Sequence, residues 1–297
     1  MAYISDQVPD RGLWKPARLK VSAASPADRL PDRPPAEILA GLTKAIEADV
    51  VPRLVLAHRT IPAVVAIEPE KKNSSEVGQF AEMILGRDGD AATAHIQRLR
   101  DQGNPLEAIY IDLLAPTAAH LRDLWSADLC DFADVTLALW RLQQVLREFS
   151  PDFRAEGEHA ESGLRALLVP APGEKNELAY VMFGLVMMAE FFRRDGVDTW
   201  IEPDPESNEF SGIIRSQWFD VVELLVKGDK KMDALAERIR MIRRESPNRG
   251  IGVMVCGPAF VEHPELVLLV GADVMANDPR QGAVQAKKVV GLLANRR

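Results

Sequence analysis

The stretch from Arg165 to Ala189 constrains the fold of this chain more than any other. It opens with a short apolar run, Ala166 to Val169, breaks at a Pro/Gly turn that ends at Gly173, and continues as a long apolar segment that fits a helix. A strand, a loop and a helix in this order form the first unit of a doubly wound α/β sheet, in which ligands bind beyond the carboxyl ends of the strands. The pattern therefore predicts a ligand site at the loop from Gly173 to Leu178.

The rest of the chain divides on either side of this stretch. Downstream, further apolar runs alternate with helical segments, which predicts a parallel sheet covered on both faces. These runs are Asp198 to Ile201, Val221 to Val226 and Ile251 to Cys256, with a strand-turn piece at Val267 to Ala276. Upstream, apolar residues recur at helical spacing, and the last of these helices is predicted from Asp131 to Phe149.

Four segments follow from this pattern. We predict an irregular, proline-rich N-terminal arm (1–34), a helical bundle (35–150), a polar linker (151–163) and an α/β domain (164–297). The fold class is thus α/β, with an N-terminal helical bundle followed by a doubly wound parallel sheet.

Composition narrows the class of protein. The formal net charge of -8 argues against direct binding to nucleic acid, although it allows a protein partner that binds DNA. Two cysteines give no disulfide framework. With no visible signal peptide and no apolar run long enough to span a bilayer, we expect a cytoplasmic protein without membrane insertion. The sequence contains no nucleophile elbow, P-loop or dinucleotide fingerprint, and we predict no enzymatic activity.

The segments from Pro105 to Leu293 resemble one known family. The bundle sequence around IYIDLLAPTAAHLRDLW, the segment PGEKNELAYVMFGLVMMAEFF, and VMVCGPAFVEHPELVLLVGAD are similar, in order and at matching spacing, to the AerR and PpaA photosynthesis-gene antirepressors. These proteins share the plan of the cobalamin-binding module of methionine synthase. The resemblance implies a helical cap and a flavodoxin-like (Rossmann-type) domain that together hold a cobalamin.

The motif that the resemblance carries is altered in this chain. In this fold the loop after the first strand reads Asp/Glu-x-His-x-x-Gly, and its histidine binds cobalt in place of the cofactor's own benzimidazole. Here the loop runs from Glu174, Asn176 stands at the histidine position and Ala179 at the glycine position. An amide is a poor ligand for cobalt compared with imidazole. The usual base-off, His-on ligation is therefore predicted to be lost.

Three positions at or near the strand ends also carry larger side chains than the family has there. Leu225 stands where the family has a small serine, Glu223 where glycine is usual, and Cys256-Gly257 where the family has two glycines. Because overpacking a close-fitting pocket is destabilising, we expect these side chains to fill the channel for the nucleotide tail.

Other residues are candidates for a tetrapyrrole site. Cys256, at a strand's carboxyl end, is either a haem ligand as a thiolate or an inert buried cysteine. His120 is either a group that reaches a tetrapyrrole from above or an ordinary histidine. Trp125 and Trp140 are predicted in the bundle core, where an aromatic residue can also cover a cofactor face.

Four functions remain open. The first is a non-enzymatic regulator of the AerR/PpaA type that acts on a protein partner, such as a transcription factor, in photosynthesis-gene or tetrapyrrole regulation. The second is a sensor that binds haem or base-on cobalamin. The third is a corrinoid carrier for a methyltransferase. The fourth is a structural subunit or assembly factor that uses the fold only as an interaction surface.

Overall fold

The computed structural model describes residues 74–86, 89–157, 162–173, 177–227, 231–276 and 278–294. The predicted N-terminal arm and the start of the predicted bundle lie outside these residues. Two candidate site residues, Glu174 and Asn176, lie outside them too.

The first described part is helical. It consists of helices α1 (Ser74–Leu85), α2 (Gly89–Asp101), α3 (Leu106–Ile109), a π-helical turn (Tyr110–Leu114), α4 (Ala115–Ser126) and α5 (Phe132–Ala155). The π-helical turn joins α3 and α4 into one continuous helix. Pro116 follows it, and because proline lacks an N–H and its ring clashes with the carbonyl four residues earlier, a wider turn is the local solution.

The second part is a five-stranded sheet. Its strands are β1 (Arg165–Pro170), β2 (Asp198–Ile201), β3 (Val221–Leu225), β4 (Gly252–Cys256) and β5 (Val274–Ala276). They are all parallel and lie in the order β2-β1-β3-β4-β5. This is the doubly wound topology that the sequence predicts, and the fold class is confirmed.

Helices follow the strands on both faces of the sheet. They are α6 (Leu178–Arg194), α7 (Asn208–Ser216), α8 (Met232–Glu245), α9 (Pro258–Glu262), α10 (Leu266–Val270) and α11 (Pro279–Ala294). One face of the sheet packs against α7, α8 and α10, and the other packs against α6 and α11.

Helix α6 is shared by the two parts of the molecule. Phe183 and Phe191 belong to the core of the helical part, whereas Leu185 and Phe192 belong to the core on the sheet. A helix that is apolar all round is buried on all sides, as α6 is between the bundle and the sheet.

Several local expectations are wrong. Helix α5 does not end at Phe149 but continues through Pro151 to Ala155, so the first residues of the predicted linker are helical. The Oγ of Ser150 donates to Oε2 of Glu190 on α6 at 2.5 Å, and Phe153 is fully buried. These contacts hold the last turn of α5 against α6.

Two further differences concern the α/β part. The apolar segment Leu266–Val270 forms α10 instead of a strand, and it ends at Gly271, whose φ of 82° is the left-handed conformation typical of a residue after a helix. Helix α7 lies between β2 and β3, where no helix was predicted. Its N-terminus is capped by the Ser207 hydroxyl, which accepts from the N–H of Phe210.

Within the described residues, no helix has both the length and the apolarity that a membrane span requires.

Candidate ligand-binding crevice

A cavity of about 550 Å³ lies between α4, α6 and the carboxyl ends of the strands. Ala115 and Ala118 form its wall on α4, Gly184 and Met187 line it from α6, and Leu225 lines it from the end of β3. This volume is within the range of small-molecule sites. We call this cavity the crevice.

Small side chains keep the crevice open. Ala115 and Ala118 bring little bulk to the α4 wall, and the π-helical turn directly before Ala115 sets which face of α4 points toward the sheet. On α6, a Cβ added to Gly184 would lie 3.0 Å from Cδ2 of Leu225. The absence of a side chain at Gly184 therefore leaves room for the Leu225 side chain beside α6.

The β4 wall depends on a second glycine. Gly257 follows Cys256 with a φ of 140°, a conformation that residues with a Cβ rarely adopt. A Cβ at this position would overlap the carbonyl of Val226. The glycine thus lets the chain leave β4 closely past the end of β3.

Charged side chains lie at the rim. The guanidinium of Arg122 lies 5.1 Å from the ring centroid of Tyr180. Lys227 forms an ion pair with Glu177, and Asp278 accepts from Arg280 at 3.1 Å. The crevice is therefore apolar inside and polar at its edge, as is common for ligand pockets.

A buried carboxyl lies under the crevice. Glu223 on β3 has no exposed surface, and apart from the Cys256 thiol neither of its carboxyl oxygens has a hydrogen-bond partner among the described residues. Side chains alternate along a strand, so Glu223 lies on the same face as Leu225, the face covered by α6 and α11. Burial raises the pKa of Glu223 to about 7, and the neighbouring Cys256 thiol acts in the opposite sense.

Cys256 links this carboxyl to the crevice. Its side chain lines the crevice, and it is 5% exposed. Burial, and then the charge of Glu223, raise the pKa of the Cys256 thiol well above its usual range. Because the thiolate is the form that binds a metal, this environment does not favour Cys256 as a haem ligand.

The candidate site residues fall into three groups. Leu225, Cys256 and Gly257 line the crevice. Ala179 and Trp125 line a smaller neighbouring depression, beyond Arg122 and Tyr180. His120 is half-buried on α4 and does not line the crevice.

The crevice beside Leu225 is open. The expectation that Leu225 and the other larger side chains fill the channel for the nucleotide tail stays a prediction. The deeper part of this face is packed, since Gly282 on α11 abuts Phe192 and Met188. The expectation that Trp140 lies in the bundle core is wrong, because its side chain is 55% exposed. Trp125 does pack at the edge of that core, where its ring lies 5.9 Å from that of Phe132.

Sequence reasoning missed several residues of the crevice. Arg122, Tyr180 and Gly184 were not among the predicted site residues, yet all three line it. Gly184 carried a signal, because a glycine in the interior of an apolar helix usually has a packing reason.

Comparison with known proteins agrees with this architecture. Residues 77–148 match the B12 binding domain family. They span α1 to most of α5, which is the helical part that covers the crevice. The resemblance to cobalamin-binding domains predicted from the sequence is confirmed.

Two individual proteins extend the comparison. The chain is 25% identical over 174 residues to an uncharacterized 20.5 kDa protein in the bchF-crtJ intergenic region of Rhodobacter capsulatus, a match that covers 59% of this chain and 88% of that protein. Among solved structures, the monomethylamine corrinoid protein of Methanosarcina barkeri superposes with a TM-score of 0.54 at 13% identity. That match covers 72% of this chain and 99% of the other. At this identity the likeness shows a common fold.

Proposed function

We propose that this protein binds a corrinoid in the crevice and acts without catalysis, through a protein partner, in photosynthesis-gene or tetrapyrrole regulation. The observation that carries the proposal is the open, mainly apolar space between the helical cap and the ends of β3 and β4. The match of residues 77–148 to the B12 binding domain family supports a corrinoid as its occupant. The R. capsulatus relative, described as a protein in the bchF-crtJ intergenic region, supports the regulatory context.

The side chains that line the crevice suit the ring of a corrinoid, but they do not suit the usual axial ligation of its metal by a histidine. Ala115, Ala118 and Gly184 leave a smooth apolar wall, and Arg122 and Lys227 bring hydrogen-bond donors to the rim. A bound corrinoid would supply a metal centre whose axial ligands exchange. The described residues that line the crevice include no histidine, and Asn176 stands at the histidine position of the loop.

This donor set favours a corrinoid that keeps its own base. Leu225 narrows the entrance to the tail channel beside Gly184, and below it α6 and α11 are in contact. We therefore expect the visible spectrum of bound cobalamin to be that of the base-on form. A base-off spectrum would instead favour the alternative function, a corrinoid carrier for a methyltransferase.

The experiment is to mix purified protein with hydroxocobalamin and to record the visible spectrum of the protein peak after gel filtration. We expect cobalamin to elute with the wild type and to be lost in Gly184→Leu, because the added side chain occupies the crevice next to Leu225. Gly212→Leu is the matched control, since Gly212 lies in α7 and a Cβ there meets nothing within 4 Å. A wild-type protein that elutes without cobalamin would contradict the proposal.

A further inference from the structure

Glu223 is a buried acid with no cation beside it among the described residues. The Cys256 thiol is the polar neighbour of its carboxyl, and its neighbours in register, Leu168 on β1 and Met254 on β4, are apolar. Buried carboxylates are normally paired, because an isolated charge in an apolar environment is strongly disfavoured. A buried carboxyl without a nearby cation in a native protein therefore points to a functional role.

Among the residues that the structure describes, few charged or titratable groups surround Glu223. The thiol of Cys256 on β4 is the titratable group that acts on it. The helices over this face, α6 and α11, contribute apolar side chains such as Val181, Leu185 and Ala283 to the packing. Across the crevice, the rim carries Arg122 and Lys227 together with the acidic Glu262 and Asp278. The cations at the rim are engaged locally, Arg122 with Asp123 at 2.6 Å and Lys227 with Glu177.

We propose that Glu223 makes the crevice selective for a positively charged ligand, because such a ligand supplies the counter-charge that this carboxyl lacks. The inference rests on the proposed function, since it specifies the charge of the corrinoid that the crevice accepts. Cys256 connects a ligand in the crevice to Glu223, because its side chain lines the crevice and lies beside the Glu223 carboxyl. A cation above Cys256 stabilises the carboxylate, whereas a neutral ligand leaves it protonated.

If the crevice selects cations in this way, binding of a cation changes the number of protons bound to the protein, and this change can be measured. Below neutral pH, Glu223 binds a proton in the free protein, and a bound cation expels that proton to the solvent. The affinity for a cation therefore rises as the pH increases toward about 7, where the free carboxyl itself ionises. Each pKa unit by which the ligand lowers the Glu223 pKa raises the affinity about tenfold at the upper end of this range. A neutral ligand shows neither effect.

Two corrinoids with the same ring test this. Diaquocobinamide is a cation, and in dicyanocobinamide the cyanide ligands cancel the charge. Isothermal titration of each into the protein at pH 6, in buffers of different ionisation enthalpy, counts the protons released. We expect a release approaching one proton for diaquocobinamide with the wild type, and no such release with Glu223→Gln or with dicyanocobinamide. Glu237→Gln, the same change at an exposed carboxylate of α8 on the opposite face of the sheet, should leave the release unchanged.

The outcomes separate the two proposals. If both corrinoids bind with the same proton balance, or if the release persists in Glu223→Gln, the inference is overturned and the proposed function stands. If neither cobinamide binds while hydroxocobalamin still elutes with the protein, only the inference is overturned; if hydroxocobalamin does not bind either, the proposed function fails and the inference fails with it. A comparison of the wild type at pH 6 and pH 9 guards against a misfolded variant, because the release must disappear at pH 9, where Glu223 is already ionised.

Discussion

At the scale of the residue, Glu223 differs most from its surroundings. It is a carboxyl at the centre of the sheet, between β1 and β4, on a face covered by apolar helices. Its burial is the main cause of a pKa near 7, and no described cation offsets it. The protein thus retains a group that favours its protonated form, and this preference connects the stability of the fold to pH.

The first prediction concerns this connection. A carboxyl whose pKa rises from 4.5 unfolded to about 7 folded keeps its proton while the unfolded chain ionises, so stability falls as the pH rises through this window. The full shift corresponds to about 3 kcal/mol. Urea unfolding from pH 4.5 to pH 8 should show this loss in the wild type and a smaller one in Glu223→Gln. Equal pH dependence in the two proteins would show that Glu223 is not its source.

The sequence could not reveal this residue's surroundings. In the segment VVELLV, Glu223 was expected to be one of the larger side chains at the strand ends, but no local pattern identifies which charges surround it. Glu223 is buried because helices cover both faces of the sheet, and that covering depends on elements far away in the chain. The sequence did not reveal the open crevice either, because the size of this cavity depends on how far α4 lies from the strand ends.

At the scale of the element, α6 holds the molecule together. Its Phe191 ring lies 4.9 Å from that of Phe153 on α5, in an edge-to-face arrangement. Phe192, the next residue, packs toward the sheet and contacts α11 at Gly282. Neighbouring residues of one helix therefore serve two cores.

The second prediction follows from this double role. Phe191→Ala and Phe192→Ala should each lower the free energy of unfolding by about 3–5 kcal/mol, because each leaves a cavity in a packed core. Leu178→Ala, at a position of the same helix that is 41% exposed, should cost less than about 1 kcal/mol. Urea titration measures all three. A small effect of Phe191→Ala would mean that the bundle does not depend on α6.

Elements were predictable where one local pattern was strong. Apolar runs bounded by turns identified β1, β3 and β4, because a strand buried on both faces reads as a continuous apolar segment. The edge strand β2 was also predicted, although its residues are exposed or half-exposed. Helix α7 was missed because it is short and follows a loop rich in proline and acidic residues. Helix α10 was predicted as a strand because LVLLV has β-propensity, and the left-handed Gly271 and the packing of Val267 and Val270 override it.

At the scale of the whole molecule, the cap and the sheet form one body around the crevice. The described residues belong to a single compact unit. Arg194 of α6 pairs with Glu107 of α3 at 2.5 Å and lies 4.9 Å from the ring centroid of Phe153. These contacts, together with the shared α6, indicate that neither part keeps its core without the other.

The third prediction is a single unfolding transition. Trp125 and Trp140 report on the helical part, and Trp200 and Trp218 report on the α/β part. Two variants allow the parts to be followed separately by fluorescence in urea. In one variant Trp14, Trp125 and Trp140 are replaced by phenylalanine, and in the other Trp14, Trp200 and Trp218 are replaced. We expect coincident midpoints for the two variants, as for one cooperative unit. Separate midpoints would show that the cap unfolds independently of the sheet.

The π-helical turn at Tyr110–Leu114 has a consequence for how such a protein could change its ligand. A regular α-helix rotates by about 100° per residue, so loss of one residue here would swing Ala118 and Arg122 away from the strand ends. The strands and the buried acid would keep their contacts with α11 and with the sheet-facing side of α6. One deletion would thus change which side chains form the ceiling of the crevice, while the residues of its floor stay the same.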